Sequence, residues 1–186
     1  ESKSADEGCG TLATREDPSK IILSLDGKRG GTEALAVLDP LCPACKGFDK
    51  RLQASGLLGR LELDAVLFPL DSTCNWMVKE SLHPGACAVS EAMLCSPDEA
   101  KPILDYAFEN QPELMKMAKE DGGKKLRQHL GEKFPSVKGC VGSSKAKNRV
   151  NKSLRFAVAN ALPVLTSRMT PEPVHEVGGC DCQGLS

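Results

Sequence analysis

The apolar positions of this chain follow two different rhythms. Between residues 20 and 68 they come as short blocks, Lys20–Asp26, Glu33–Asp39 and Leu61–Phe68, set apart by polar or glycine-rich stretches. Leu35–Leu38 is continuous, the pattern of a strand covered on both faces of a sheet, while Leu61–Phe68 alternates at first and then turns fully apolar. Gly27–Gly31 reads as a turn joining the first two strands, and Asp39-Pro40 stops the second. From Cys42 the spacing becomes helical, with Phe48 and Leu52 four apart and Gly56 ending the segment. The result is strand, helix, strand in about the length of a βαβ unit, whose right-handed crossover makes its two strands parallel neighbours.

From Pro69 to about residue 143 the chain becomes helical. His83-Pro84 opens a helix running to Cys95, with the proline at its first position. Ser96-Pro-Asp-Glu99 has capping-box spacing, and Pro102 moves the expected start of the next helix to itself. Asn110-Gln-Pro-Glu113 starts a helix that Gly122-Gly123 ends, and a short helix carries Leu126 and Leu130. Residues 70–143 are thus read as a helical insertion between sheet elements. Ser144 then caps a longer helix to about Ala161, with Ala146, Val150, Leu154 and Val158 along its buried stripe. Lys145, Lys147, Arg149, Lys152 and Arg155 fall off that stripe and read as a solvated face.

Composition narrows this picture. A chain of 186 residues fits one domain, residues 19–186, behind a polar and flexible lead-in over 1–18. A net charge of −1 and 4% aromatic residues leave no electrostatic footprint for nucleic acid. No run approaches the ~20 apolar residues of a membrane span, and the first residues are not a signal peptide, as expected of a mature form or a soluble piece of something larger. Nine cysteines are many for a reducing compartment and point to a periplasmic or otherwise extracytoplasmic protein.

The chemistry centres on Cys42-Pro43-Ala44-Cys45, placed where a buried strand turns into a helix. Unpaired N–H groups and the helix dipole favour an anion there, so the Cys42 thiolate is expected to form below the free-cysteine pKa of about 8.5. Cys45, one turn further in, is placed to attack a mixed disulfide formed on Cys42. The competing readings are a structural bridge and half of a metal site. A zinc or copper carrier would draw on Cys180-Asp-Cys182, whose one-residue gap suits the usual ligand turn poorly. Neither a bound metal nor another cofactor is expected.

This order of elements, with Asp39-Pro-Leu-Cys-Pro-Ala-Cys45, Phe68-Pro-Leu70 and His83-Pro-Gly-Ala-Cys87, resembles the DsbA-like branch of the thioredoxin superfamily over residues 18–179. Phe68-Pro-Leu-Asp-Ser-Thr-Cys-Asn75 followed by His83-Pro-Gly-Ala-Cys87 is also similar to thioredoxin-like domains fused to, or working beside, bacterial vitamin K epoxide reductase homologues. The resemblance implies an α/β thioredoxin-like fold and disulfide exchange with protein thiols. It also implies a membrane redox partner of the vitamin K epoxide reductase type. A cis-proline expected opposite the two cysteines is matched best by Thr170-Pro171, which with Pro43 and Ala44 would contact substrate. Pro173 is awkward beside it, Leu162-Pro163 gives a competing register, and the chain ends early for the final strand and helix such domains carry.

Of the other cysteines, Cys74 and Cys87 flank a loop, and Cys95 and Cys140 bracket most of the insertion, which suggests Cys74–Cys87 and Cys95–Cys140 bridges. Other connectivities stay open at this point, as does a relay of electrons from Cys74 and Cys87 to Cys42 and Cys45. Cys9 is read as an anchor pairing with Cys180 or Cys182. His83, His129 and His175 are not spaced as catalytic partners of Cys42 and are read as capping or surface residues. The leading expectation is a protein thiol–disulfide oxidoreductase, with a non-catalytic, disulfide-stabilised binding domain as the alternative.

Overall fold

Two strands buried along most of their length organise the molecule. β2 (Thr32–Leu38) and β3 (Leu61–Leu67) run parallel and in register from Thr32 opposite Leu61 to Leu38 opposite Leu67. Every residue from Ala34 to Leu38 and from Ala65 to Leu67 is buried, as continuous apolar runs require. α1 (Pro43–Ala54) connects them and turns Cys45, Phe48 and Leu52 inward. The computed structural model describes residues 16–27, 30–160 and 168–169.

β1 (Leu23–Gly27) lies antiparallel to β3, and β4 (Arg168–Met169) antiparallel to β2, giving the order β1-β3-β2-β4. The turn after β1 therefore joins strands that are not neighbours, because β3 lies between them. Beyond Leu23 the edge of β3 changes partner. The Asp17 carboxylate accepts the N–H groups of Ile21 and Ile22, each at 2.9 Å. Ser153 of α6 (Ser144–Ala159) serves Leu67 instead, its Oγ accepting the Leu67 N–H at 3.1 Å and donating to the Leu67 carbonyl at 2.8 Å. One hydroxyl thus satisfies a backbone donor and acceptor that would otherwise be buried unpaired.

Between β3 and α6 lie α2 (Ala86–Cys95), α3 (Ala100–Glu109), α4 (Gln111–Lys119) and α5 (Lys124–Lys133). The α/β class and the parallel strand pair are those expected; several helix starts differ. α2 begins at Ala86 rather than at His83-Pro84, because Gly85 takes a left-handed turn with φ +96°. A Cβ there would lie 2.7 Å from the Leu126 side chain and 2.8 Å from that of Ala118, so glycine is required both by conformation and by close approach. α3 starts two residues before Pro102, which sits in the first turn, where the helix has no N–H bond to lose. At α6 the capping hydroxyl is that of Ser143, which accepts the Ala146 N–H at 3.1 Å. Val158, expected on the buried stripe, is 51% exposed, and Ser153 and Ala157 are buried instead. A four-residue repeat drifts about 40° per step against a helix of 3.6 residues per turn, so three steps carry Val158 off the face that Ala146 starts.

A buried ion pair ties α2 to α5. Glu91 on α2 accepts from Arg127 of α5 through both oxygens, at 2.8 and 2.7 Å, and from the Gly142 N–H at 2.8 Å. Glu91 thereby holds the guanidinium pKa above its usual value. Among the described residues no helix is long and apolar enough to cross a membrane.

Candidate active site

The site is built where β2 ends. Asp39 leaves the sheet fully buried, and its carboxylate organises the turn that follows: Oδ1 accepts the Leu41 N–H at 2.7 Å, and Oδ2 accepts the Leu70 N–H at 2.7 Å. His83 Nδ1 lies 2.8 Å from the same Oδ2. Three segments converge on one side chain: the end of β2, the turn after β3 and the loop before α2. His83 is 9% exposed, so the surface or capping role expected for it is corrected. No local signal joins residues 44 apart; only folding the insertion over the strand ends brings them together.

Cys42 caps α1 in an extended conformation, φ −78° and ψ 122°, with Pro43 at the first helical position. The proline has no N–H, which leaves those of Ala44 and Cys45 as helical donors at this end. No acidic residue stands in the first turn to oppose an anion. The Cys42 carbonyl accepts the Lys46 N–H at 3.1 Å and, from the insertion, Gln111 Nε2 at 3.0 Å. Gln111 opens α4 and is buried. Its role was not legible in the sequence, where it appeared only inside a capping pattern. Pro43 is exposed and Ala44 half-buried, so this face of the motif is reachable from outside.

Cys42 itself is 0% exposed and Cys45 1% exposed. Cys42 is disulfide-bonded, and the bridge does not run to Cys45. The expected Cys42–Cys45 bridge is therefore not the one formed in this structure: the Cys42 sulfur already faces another sulfur. Elsewhere Cys74 is joined to Cys87 and Cys95 to Cys140, with S–S distances of 2.02 and 2.00 Å. Thr170, Pro171, Cys9, His175, Cys180 and Cys182 lie outside the described residues. Among the described residues no cluster of three or more His, Cys, Asp or Glu is arranged to hold a metal ion.

The loop between β3 and α2 is fastened by a second buried aspartate. Asp71 Oδ1 accepts from the Thr73 N–H at 3.1 Å and the Ser81 hydroxyl at 2.8 Å, while Oδ2 accepts the N–H groups of Gly85 and Cys87 at 2.9 and 3.2 Å. The loop nevertheless exposes Trp76, Met77 and Leu82, and Arg155 lies over the Trp76 ring at 5.6 Å. Both Leu82 and His83 donate their N–H to the Leu70 carbonyl, at 3.0 and 3.1 Å, which brings this apolar surface back toward the Asp39 turn.

No protein-family model matches the chain, and no curated protein matches it in sequence. Among solved structures, the fold is similar to the crystal structure of the oxidoreductase DsbA from Xylella fastidiosa, with a TM-score of 0.50, 17% sequence identity, and 76% of this chain and 74% of that chain covered. At that identity the likeness is one of fold: a thioredoxin-like sheet with a helical insertion, as in DsbA.

Proposed function

We propose that the chain is an extracytoplasmic thiol–disulfide oxidoreductase that exchanges disulfides with protein thiols through Cys42 and Cys45. The observation that carries this reading is the position of Cys42, at the extended N-cap of α1 beyond a buried parallel strand, with Cys45 one turn in and no acidic residue in the first turn. Backbone donors and the helix dipole stabilise a thiolate at this end.

In the oxidising direction a substrate thiolate attacks the Cys42 sulfur of a Cys42–Cys45 bridge. A substrate–Cys42 bond forms, and Cys45 leaves as a thiolate that takes up a proton. A second substrate thiolate then attacks the substrate sulfur of the mixed disulfide and expels Cys42 as the stabilised thiolate, so two electrons pass from two substrate thiols to the pair.

Pro43 and Ala44, with Thr170 and Pro171 as the resemblance implies, are the proposed substrate contacts, and the exposed Trp76, Met77 and Leu82 suit an unfolded polypeptide. Disulfides at Cys74–Cys87 and Cys95–Cys140 support an oxidising compartment. A membrane enzyme of the vitamin K epoxide reductase type is the proposed partner that renews the oxidised pair; the exchange itself uses no resident cofactor. Cys45→Ser tests the reading: a mixed disulfide between Cys42 and a thiol peptide should accumulate, because the resolving attack is lost. Failure to trap any such species on Cys42 would overturn it.

One observation favours a second reading, a disulfide-stabilised binding domain without redox turnover: Cys42 is buried and already bonded. A structural bridge there would resist glutathione, with a potential below about −300 mV. The metal-carrier alternative depends on Cys180 and Cys182, outside the described residues.

A further inference from the structure

The segment Asp39–Cys42 receives two buried side-chain donors from the helical insertion. Gln111 Nε2 reaches the Cys42 carbonyl at 3.0 Å from the start of α4, and His83 Nδ1 lies 2.8 Å from Asp39 Oδ2 in the loop before α2. Neither bond is needed to satisfy its acceptor. The Cys42 carbonyl already holds the Lys46 N–H, and Asp39 Oδ2 already holds the Leu70 N–H. Gln111 is 4% exposed, in a place where an apolar side chain of the same length would avoid the cost of burying an amide.

We infer that Gln111 is a positioning residue for Cys42, and that the insertion, through Gln111 with His83 beside it, raises the reactivity of that cysteine. The inference rests on the reading of Cys42 as the exchanging thiol. Two negative oxygens lie in the turn that leads into α1: the Asp39 carboxylate and the Cys42 carbonyl. Each opposes a thiolate at Cys42, the more so in a buried setting where charges are weakly screened. An N–H directed at each oxygen spreads its negative charge and also fixes the peptide plane that carries Cys42. Among the described residues the charged and titratable groups at this turn are Asp39 and His83, with Cys45 and Lys46 following in the first turn of α1. Among the described residues the ends of β2 and β3 carry apolar side chains here, and the insertion supplies the side-chain donors.

The test replaces Gln111 with Met, which keeps length and apolar fit and removes the donor. In protein reduced at Cys42 with the Cys74–Cys87 and Cys95–Cys140 bridges intact, alkylation of Cys42 by iodoacetamide at pH 7, read by peptide mass mapping, should slow severalfold. The equilibrium with glutathione should shift severalfold toward the oxidised protein, since the thiolate is less stabilised. Gln111→Ala leaves room for water to donate to the same carbonyl and should fall between Met and wild type. Thermal unfolding of each variant is followed alongside, because a merely structural Gln111 would lower Tm and leave both chemical readouts unchanged. Unchanged alkylation and unchanged glutathione equilibrium in Gln111→Met, with wild type exchanging normally, would overturn the inference. A wild-type protein whose Cys42 does not exchange with glutathione at all would instead overturn the functional reading beneath it.

Discussion

The cysteines of the insertion and those of the α1 turn meet opposite physical requirements. Cys74–Cys87 and Cys95–Cys140 close loops with sequence separations of 13 and 45, and the first is pinned by Asp71, whose oxygens also hold the start of α2. They restrain chain entropy and join elements whose ends would otherwise fray. Cys42 and Cys45 are three residues apart on one helix end, where a bridge between the two would restrain almost nothing. What surrounds them instead is a set of donors, from the backbone of α1, from Gln111 and, through Asp39, from His83. One residue type thus serves as a staple where the chain is long and as a reactive group where backbone dipoles converge.

The largest expected effect separates the two pairs by function. Cys42→Ser should reduce thiol exchange to background, whereas the double variant Cys95→Ala/Cys140→Ala should keep the exchange rate of the folded protein; an insulin-reduction or scrambled-substrate assay reads both. The same double variant should lose about 4 kcal/mol of stability by urea unfolding, and Cys74→Ala/Cys87→Ala about 3 kcal/mol, from the entropy of the loops they close. Equal losses on removing Cys42 or Cys45 would erase the distinction.

A smaller effect concerns the scaffold that brings His83 to Asp39. Gly85→Ala forces a side chain onto a left-handed residue and against Leu126 and Ala118, and overpacking alone should cost about 1–3 kcal/mol, measured by the shift in the denaturation midpoint. The smallest lies at the other end of the sheet. There Asp64 is pushed above its usual pKa by burial and then by Glu62, with Glu33 adding to it. A carboxyl whose pKa is raised on folding binds more protons in the native state, so its contribution worsens as pH rises through that window. Asp64→Asn should therefore stabilise the protein at pH 7, with the gain vanishing below pH 4; urea midpoints at the two pH values check it.

The parts of this architecture written locally in the sequence were legible. Leu35–Leu38, the Asp39-Pro40 stop and the helical spacing from Cys42 place the site at a strand-to-helix junction, because each depends on a few adjacent residues. Val158 escaped because a four-residue repeat drifts around a helix. Gly85 escaped because its left-handed turn answers to Leu126 and Ala118, which come from elsewhere in the insertion. His83 and Gln111 were the hardest to read. Their partners lie 44 and 69 residues away, and a lone buried histidine or glutamine carries no spacing that names its acceptor.

The central claim is that Cys42 exchanges while the insertion bridges do not. It is tested most directly by equilibrating the protein across a series of glutathione ratios, alkylating at each and mapping every cysteine by mass spectrometry. The account predicts that Cys42 converts at moderate ratios, before Cys74–Cys87 and Cys95–Cys140, which stay oxidised as structural bridges below about −300 mV do. A Cys42 that remains bonded until all the bridges are reduced together, or a Cys74–Cys87 pair that exchanges first, would contradict it.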